Sequence, residues 1–231
     1  MASILNQPIA EDLTLRASIQ GSLGLEAAGN AYPQLAAGGF LFRPFELADI
    51  GQLVPMAGEH RIADTTLGVP HPYTSEFARQ WIVSHARDWE NRTALHWAVS
   101  KHGDARLLGY AGLNAIDMAR RQAELRFWVG SGVKRTDDAT EWAQAVLEFA
   151  VNALGLERVY ALQLARHPPA ARVLESIGMQ PEGFLRKRIQ REGMMEDVVC
   201  WSLRRDEWFR RFRGDDGRSA EDGLAPPPPS R

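Results

Sequence analysis

The sequence ALHWAVSKHGDARLLGYAGLNAI, residues 94–116, contains two apolar segments on either side of a polar turn. The first segment, ALHWAVSK (94–101), alternates with a period of two, which is typical of a half-buried strand. The turn KHGDAR (101–106) contains Asp and Gly, so the segments on its two sides are predicted to pair as a β-hairpin. AELRFWVG (123–130) is predicted to form a further strand.

Helical segments flank these strands. Residues 77–90 have apolar residues on one side and follow a Thr-Ser pair that can cap a helix. Residues 140–154 have apolar residues at helical spacing, and Gly155 ends that helix. The remaining predicted elements are strands at 39–45, 159–164, 184–190 and 195–203, and helices at 46–56 and 169–178. This mixed order predicts a single α/β sheet with helices on its faces.

The composition limits the classes of function. The chain has 231 residues, 45% of them hydrophobic, which is enough for one well-filled core. Lys and Arg number 27 against 29 Asp and Glu, so no overall field favours nucleic acid or an anionic membrane. The Arg-rich stretches 186–191 and 204–213 are interpreted as solvated faces of a strand and a helix. No Cys/His cluster, His-Glu-x-x-His motif or Walker-type loop occurs, so neither a metal nor nucleotide hydrolysis is predicted.

The two ends of the chain differ from its middle. Residues 1–37 have weak periodicity and are predicted to be an N-terminal extension, followed by a folded domain at 38–213. Residues 214–231 are polar and Pro-rich and are predicted to be a disordered tail. The single cysteine, Cys200, excludes an internal disulfide. Because no signal peptide and no run of about 18 apolar residues occurs, a cytoplasmic protein is predicted.

From about residue 39 to residue 208, the order of elements and several motifs resemble the GNAT N-acetyltransferases. The most similar branch contains the ribosomal-protein N-terminal acetyltransferases (RimJ/RimL type). AELRFWVG is similar to a strand that usually reads Ala-Glu-Leu, one residue, an aromatic residue and Trp in that branch. The other similar motifs are FLFRPFELADI (40–50), GVPHPYTSEFARQWI (68–82), LLGYAGLNAID (107–117), ARVLESIGMQPEGFLRKR (171–188) and DVVCWSLRRDEW (197–208).

The resemblance implies a mixed, mostly antiparallel sheet that is splayed between two central parallel strands, with helices on both faces. The pantetheine arm of acetyl-CoA, the implied co-substrate, would enter between strands 123–130 and 159–164. Its pyrophosphate would lie at the N-terminus of the helix that begins near Asp138, where unpaired N–H groups favour anions. The implied cofactor-binding residues are Phe127, Trp128, Val129, Lys134, Arg135, Thr136, Asp137, Asp138, Ala139 and Thr140.

The phosphate loop departs from the family pattern. Where relatives have a central Gly, this chain has Asp137, with Asp138 beside it. In one interpretation Asp138 and Glu141 form a capping box and occupy the N–H groups that a phosphate needs. In the other, Lys134 and Arg135 help the phosphates to bind, although a carboxylate about 5 Å from a phosphate charge costs roughly 3 kcal/mol at a dielectric of about 20.

A second departure lies ahead of the helix at 169–178. Relatives have Asn-Pro and then Ser there, whereas this chain has His167 and Ala170 at the Asn and Ser positions. An imidazole at this point could donate a proton to the leaving thiolate, and the competing interpretation is a helix-capping or surface histidine. Glu124 is the candidate general base, and the competing interpretation is a solvent-facing strand residue.

The resemblance implies acetyl transfer to a primary amine, either a small molecule or a protein N-terminus, by direct attack. The implied substrate-side residues are His71, Tyr73 and Trp81. Two alternatives stay open: a transferase that uses another acyl donor, such as an acyl carrier protein, and a noncatalytic binding module. The predicted partner is the amine, with no nucleic acid and no membrane, and a homodimer is compatible with the sequence.

Overall fold

The computed structural model describes residues 32–133, 136–191 and 193–212, without the side chain of Thr136. Most of the predicted N-terminal extension, the loop residues Lys134 and Arg135, and the predicted tail at 214–231 therefore lie outside the described residues.

The strands of the described residues form one eight-stranded sheet in the order β1-β2-β3-β4-β5-β6-β8-β7. All neighbouring strands are antiparallel except β5 and β6, which are parallel. The predicted mixed, mostly antiparallel sheet is thus confirmed. The strands are β1 (Leu35–Ala37), β2 (Phe40–Pro44), β3 (Leu95–Lys101), β4 (Gly109–Asp117), β5 (Gln122–Val129), β6 (Arg158–Leu164), β7 (Gln180–Arg191) and β8 (Met194–Arg204).

The helices lie between and after these strands. They are α1 (Ile50–Ala57), α2 (His60–Thr65), α3 (Ser75–Glu90), α4 (Thr136–Asn152), α5 (Pro168–Ser176) and α6 (Arg205–Phe212). A 3-10 turn at Leu47–Asp49 precedes α1. The predicted cap of α3 is confirmed, because the Thr74 side chain accepts a hydrogen bond from the Phe77 amide. The short elements β1 and α2 were not predicted.

The two parallel strands separate soon after they meet. Their pairing comprises Gln122 with Arg158, Ala123 with Val159 and Glu124 with Tyr160. Beyond Glu124 no pairing between β5 and β6 is recorded, although β5 continues to Val129 and β6 to Leu164. The predicted splay between the central parallel strands is therefore confirmed, and it opens at Glu124.

Alternation along the strands gives the sheet two different faces. Leu113 of β4 and Leu125 of β5 are buried in the larger core cluster, which also contains the apolar residues of α4. Tyr110 of β4 and Trp128 of β5 belong to a second cluster, together with residues of α1, α2 and α3. The second face is the one on which polar side chains of β3, β4 and β5 are buried.

Candidate active site

A cavity of about 290 Å³ extends from the gap between β5 and β6 to the face covered by α2 and α3. On that face its walls come from α2, residues 66–69 and α3, together with the polar side chains of β3, β4 and β5. At the other end it is lined by residues from the start of α4, the end of β6 and α5. The cavity therefore joins the predicted cofactor side to the predicted substrate side.

Glu124 lies at the inner end of the gap, where the pairing between β5 and β6 stops. Its side chain is only 5% exposed, and it accepts a hydrogen bond of 2.8 Å from Nη2 of Arg126. The two residues are two positions apart on β5, so their side chains share a face. A buried carboxylate in a cavity wall differs from the solvent-facing strand residue that the alternative interpretation describes.

Arg126 itself has an unsatisfied donor. Its Nε is buried and has no hydrogen-bond partner, while its Nη2 binds Glu124. Gly68, at a positive φ of 82°, lies close to Nη1, since a Cβ there would stand 3.3 Å from that atom. The guanidinium is thus held between β5 and the loop after α2, and the Arg126 side chain as a whole lines the cavity and is 37% exposed.

A chain of polar side chains continues from Glu124 across the sheet. Asn114, the cross-strand partner of Glu124, donates through Nδ2 to the Tyr110 hydroxyl at 2.9 Å. The Tyr110 hydroxyl lies 3.1 Å from Nδ1 of His96 on β3, and Nε2 of His96 lies 3.6 Å from a carboxylate oxygen of Asp88. Because Tyr110 accepts from Asn114, its own proton is available to His96.

Burial sets the protonation of this chain of side chains. Desolvation lowers the pKa of His96 to about 4, in spite of the opposing effect of Asp88, and raises the pKa of Tyr110 to about 12. Both are therefore neutral at pH 7. Gly112 leaves space for the Tyr110 hydroxyl, because a Cβ at this position would lie 2.5 Å from the Tyr110 hydroxyl oxygen and 2.6 Å from the Leu95 carbonyl oxygen.

Aromatic side chains also line the cavity, from α3 and the loop before it and from β5. Tyr73, Phe77, Trp81 and Trp128 all line the cavity. Tyr73 and Phe77 meet edge to face with their ring centroids 5.1 Å apart. The structure thus brings Tyr73 and Trp81 of the predicted substrate side to the cavity. Burial raises the pKa of Tyr73, so its hydroxyl stays protonated.

His71, the third predicted substrate-side residue, does not line the cavity. Its side chain is exposed, and its ring contacts that of His60 at 5.9 Å between centroids. The physical reason is that the segment from Pro72 to Thr74 turns Tyr73 inward, and His71 remains on the outer surface of the loop. The structure thus places His71 outside the cavity, and its contact with the substrate stays a prediction.

On the donor side, the backbone of β5 faces the gap at alternate residues. The Val129 carbonyl accepts a hydrogen bond of 3.1 Å from Arg61 of α2, whereas the amide of Gly130 bonds to Leu108, next to β4. The N–H and C=O groups of one residue point to the same edge of a strand, and those of the next residue point to the other edge. The N–H and C=O groups of Phe127 and Val129 therefore face the gap. Trp128 instead contributes its side chain to the cavity wall.

The start of α4 differs from the capping arrangement considered above. The helix begins at Thr136, so Asp137 and Asp138 lie inside its first turn and not before it. The Glu141 carboxylate occupies the space where a Cβ of Gly38 would stand, in the turn between β1 and β2. The predicted capping box between Asp138 and Glu141 is therefore wrong, because Glu141 points to another element.

The other predicted cofactor residues of this segment are distributed unevenly. Ala139 is buried and lines the cavity, and Asp137 is exposed. Asp138 and Thr140 are half-buried but are not among the lining residues. The aligned peptide dipoles of α4 favour an anion at this end, and the two carboxylates in the first turn oppose it.

His167 follows β6 at the N-cap position of α5. Its side chain makes no capping hydrogen bond and lines the cavity instead. Partial burial, helped by the neighbouring charge of Arg166, lowers the pKa of His167 below its usual value. The imidazole is thus mostly neutral at pH 7 and can donate a hydrogen bond more readily than a full proton.

Arg166 connects the end of β6 to the wall of the cavity. Its guanidinium contacts the Asp64 carboxylate of α2 at 2.8 Å and the Glu196 carboxylate of β8 at 2.9 Å. Arg191 of β7 donates to the Thr66 carbonyl at 2.7 Å. These bonds hold α2 and the loop after it over the gap between β5 and β6.

The comparisons with known proteins agree with this geometry. The family model described as the acetyltransferase (GNAT) domain matches residues 40–180, more than half of the chain. This chain belongs to the GNAT family. It is accordingly an acyltransferase.

Individual relatives are distant in sequence. The uncharacterized N-acetyltransferase YoaA of Bacillus subtilis is 25% identical over 136 residues, which cover 59% of this chain and 77% of YoaA. Among solved structures, Mycobacterium smegmatis RimJ in complex with CoA-disulfide has a TM-score of 0.66 at 18% identity, covering 73% of this chain and 83% of RimJ. Vibrio cholerae spermidine N-acetyltransferase in complex with CoA and spermine has a TM-score of 0.65 at 17% identity, covering 74% of this chain and 98% of that one. The likeness to these two solved structures shows the same fold.

Binding of a metal ion and crossing of a membrane require other structural features. Among the described residues, no group of three or more His, Cys, Asp and Glu side chains is arranged to hold a metal ion. None of the described helices is both long and apolar enough to cross a membrane.

Several residues that line the cavity are not predicted from the sequence, namely Arg126, Asn114 and His96. Arg126 could have been found, because it follows Glu124 by two residues and therefore shares its face. The cross-strand neighbours could not be found in this way, because they depend on the register between β3, β4 and β5.

Proposed function

We propose that this enzyme transfers an acetyl group from acetyl-CoA to a primary amine, with Glu124 as the general base. The observation that carries the proposal is the buried Glu124 carboxylate at the point where β5 and β6 part. A base at this point is next to both halves of the cavity. A carboxylate in this position can take a proton from an ammonium group once the amine has entered the cavity.

The donor side fits the pantetheine arm of acetyl-CoA. The gap leaves peptide groups of Phe127 and Val129 unpaired by β6, and the small residues Ala139 and Ala170 line the adjoining wall. When bound there, acetyl-CoA supplies the thioester carbonyl that the amine attacks and the thiolate that leaves. The β5 peptide groups would hold the arm and orient the carbonyl.

The chain's own residues divide the remaining tasks. Glu124 accepts the proton that the amine loses, and the aromatic wall around Tyr73 and Trp81 excludes water from the reacting groups. His167, which borders the donor side, would donate a hydrogen bond to the departing thiolate. Its lowered pKa favours this role over full proton transfer at pH 7.

The start of α4 is less suited to binding the pyrophosphate of acetyl-CoA than the gap is to binding its pantetheine arm. Asp137 and Asp138 bring two carboxylates into the first turn of α4. This feature favours a second candidate donor, an acyl carrier protein, whose thioester arm needs no pyrophosphate site at this helix. The two candidates share the gap and Glu124 and differ only in what lies at the start of α4.

The test is thiol release from acetyl-CoA in the presence of a panel of primary amines, with the acetylated product identified by mass spectrometry. We expect amine-dependent release by the full-length protein and its loss in the Glu124→Gln variant. Release from an acetylated acyl carrier protein, without release from acetyl-CoA, would favour the second donor. No amine-dependent release from either donor would refute the proposal.

A further inference from the structure

The acceptor half of the cavity has an unusual charge pattern. Among the described residues that line it, Glu124 carries the only carboxylate, and Arg61 and Arg126 carry the guanidinium groups. Glu124 is already bonded to Arg126, and Arg61 is bonded to the Val129 carbonyl and lies 3.6 Å from Glu59. The acceptor must therefore be complementary in charge to a carboxylate and a guanidinium that lie next to each other.

Arg126 has hydrogen-bonding capacity that the described residues do not use. A guanidinium has five N–H donors, and the hydrogen bond of this guanidinium within the described residues joins Nη2 to Glu124. The titratable groups that interact with Arg126 electrostatically are Glu124, His96, Tyr110 and Tyr160. Because the Arg126 side chain lines the cavity and is 37% exposed, its remaining donors can bind an oxygen anion of a ligand.

This pattern disfavours a polyamine. Each extra ammonium group of a polyamine needs a carboxylate or a ring of acceptors, and the described lining offers no second carboxylate. It would instead meet Arg126 and Arg61, which repel it. An amine with a single positive charge and a nearby oxygen anion avoids both costs.

The aromatic side chains of the cavity indicate what the rest of the acceptor is made of. Tyr73, Phe77, Trp81 and Trp128 present aromatic surface to the same space. Such a wall favours an apolar or aromatic body, since burying it releases water from both surfaces.

We propose that the acceptor is a zwitterionic amino acid with an apolar or aromatic side chain, whose carboxylate binds Arg126 and whose amino group meets Glu124. The inference rests on the proposed function, because the amino group beside Glu124 is the one that is acetylated. Each charge of the ligand then faces the opposite charge of the Glu124–Arg126 pair. Arg126 is in this account the residue that determines specificity.

The experiment compares ligands that differ only at the carboxylate. Binding of phenylalanine, phenylalaninamide, 2-phenylethylamine and spermidine to the full-length protein is measured by calorimetry, and kcat/KM is measured for each with acetyl-CoA. We expect phenylalanine to bind at least roughly tenfold more tightly than 2-phenylethylamine, as a charge-assisted hydrogen bond to a partly buried guanidinium allows. Leucine and tryptophan are included to cover other apolar side chains.

Variants assign the preference to Arg126. Arg126→Met should remove the advantage of phenylalanine over 2-phenylethylamine, and Arg126→Lys, which keeps the charge, should retain part of it. Arg120→Met, at an exposed arginine in the turn between β4 and β5, is the matched control and should change neither value. Circular dichroism of each variant verifies that the fold is intact.

The outcomes separate the inference from the proposed function. Equal binding of phenylalanine and 2-phenylethylamine, a preference for spermidine, or an advantage that survives Arg126→Met would overturn the inference, even if amines are acetylated. Tighter binding of phenylalaninamide than of phenylalanine would also overturn it and would point to a peptide N-terminus. Preferential phenylalanine binding without acetyl transfer would retain the inference about the site and refute the donor assignment.

Discussion

The two faces of β5 are built by consecutive residues with opposite tasks. Leu125 points into the apolar core, which contains α4, and is 2% exposed, while Glu124 and Arg126 on either side of it point into the cavity. One face is closed by apolar packing, whose free energy comes from burial. The other holds the Glu124–Arg126 ion pair, in which the Arg126 side chain is 37% exposed, and a chain of hydrogen-bonded side chains. Such polar groups seldom stabilise a fold as well as apolar residues do. The difference shows that the cavity face is organised for chemistry at some cost in stability.

Substituting consecutive residues on the two faces should give opposite phenotypes. We expect Glu124→Gln to lower kcat/KM by roughly 100-fold or more through loss of the general base, with little change in the free energy of unfolding. We expect Leu125→Ala to lower the free energy of unfolding by about 2–5 kcal/mol and to leave the kcat of the folded fraction near that of the wild type. Urea unfolding and acetyl-transfer assays on both variants measure this. Loss of stability in Glu124→Gln with normal turnover would reverse the comparison.

The cavity face should also make stability depend on pH. His85 stacks on His96 at 4.2 Å between ring centroids and contacts Trp81 and Phe45, and neither of its ring nitrogens has a partner. Burial lowers the pKa of His85 to about 2 and that of His96 to about 4. Because both values are depressed on folding, the unfolded chain binds more protons below pH 6.5. Stability should therefore decrease as the pH falls, by roughly 3 kcal/mol between pH 7 and pH 5.

A variant tests the source of that pH dependence. His85→Phe removes one buried imidazole, so about half of the decrease should disappear, and the stability at pH 7 should stay equal or rise. His102→Gln, at an exposed histidine, is the control and should not change the slope. Urea unfolding at several pH values gives the result, and an unchanged slope in His85→Phe would exclude His85 as a cause.

Gly112 tests whether the polar chain is held together by its geometry. Gly112→Ala places a Cβ against the Tyr110 hydroxyl and the Leu95 carbonyl, so Tyr110 must move away from Asn114 and His96. We expect a loss of about 1–3 kcal/mol in the free energy of unfolding, and a lower kcat as Asn114 loses its orientation. Gly183→Ala, where a Cβ meets nothing within 4 Å, is the control and should have nearly wild-type properties. If Gly112→Ala is less stable but has the kcat of the wild type, the chain of hydrogen-bonded side chains stabilises the fold and does not contribute to catalysis.

The smallest expected effect concerns the donor end, which belongs to neither packed face. Asp137→Gly removes one carboxylate from the first turn of α4 and should tighten acetyl-CoA binding. Because Asp137 is exposed and therefore screened, we expect a change of at most roughly tenfold in Kd. Asp104→Gly, in the exposed turn between β3 and β4, is the control. Calorimetry measures both, and weaker binding by Asp137→Gly would show that the aspartate supports the site.

The sequence alone predicts the order of most strands and helices and the positions of the central strands. The pattern of β3 and the Ala-Glu-Leu motif of β5 depend on local sequence, and the structure has both strands within two residues of their predicted bounds. The prediction that β3 is half-buried is wrong, because six of its seven residues are buried. β1 has three residues and α2 has six, which is too short for periodicity to identify.

The sequence predicts a residue of the candidate site only where its own type and position, or the family resemblance, are enough to identify it. Glu124 stood out as a carboxylate on a central strand, and Tyr73 and Trp81 came from the family resemblance. The role of Arg126 depends on its bond to Glu124 and on the nearness of Gly68, which no spacing rule contains. The exposure of His71 and the position of Asp138 inside α4 depend on how a loop turns and where a helix starts, which local sequence determines least well.

The central claim is that the gap between β5 and β6 binds the arm of acetyl-CoA. Its most direct test is calorimetric titration of acetyl-CoA into the wild type, Ala170→Trp, which fills the wall of the gap, and Ala119→Trp, at an exposed turn position. We predict a Kd of roughly micromolar order for the wild type and Ala119→Trp, and binding at least roughly tenfold weaker for Ala170→Trp. Absence of wild-type binding, or equal binding by Ala170→Trp, would contradict the account.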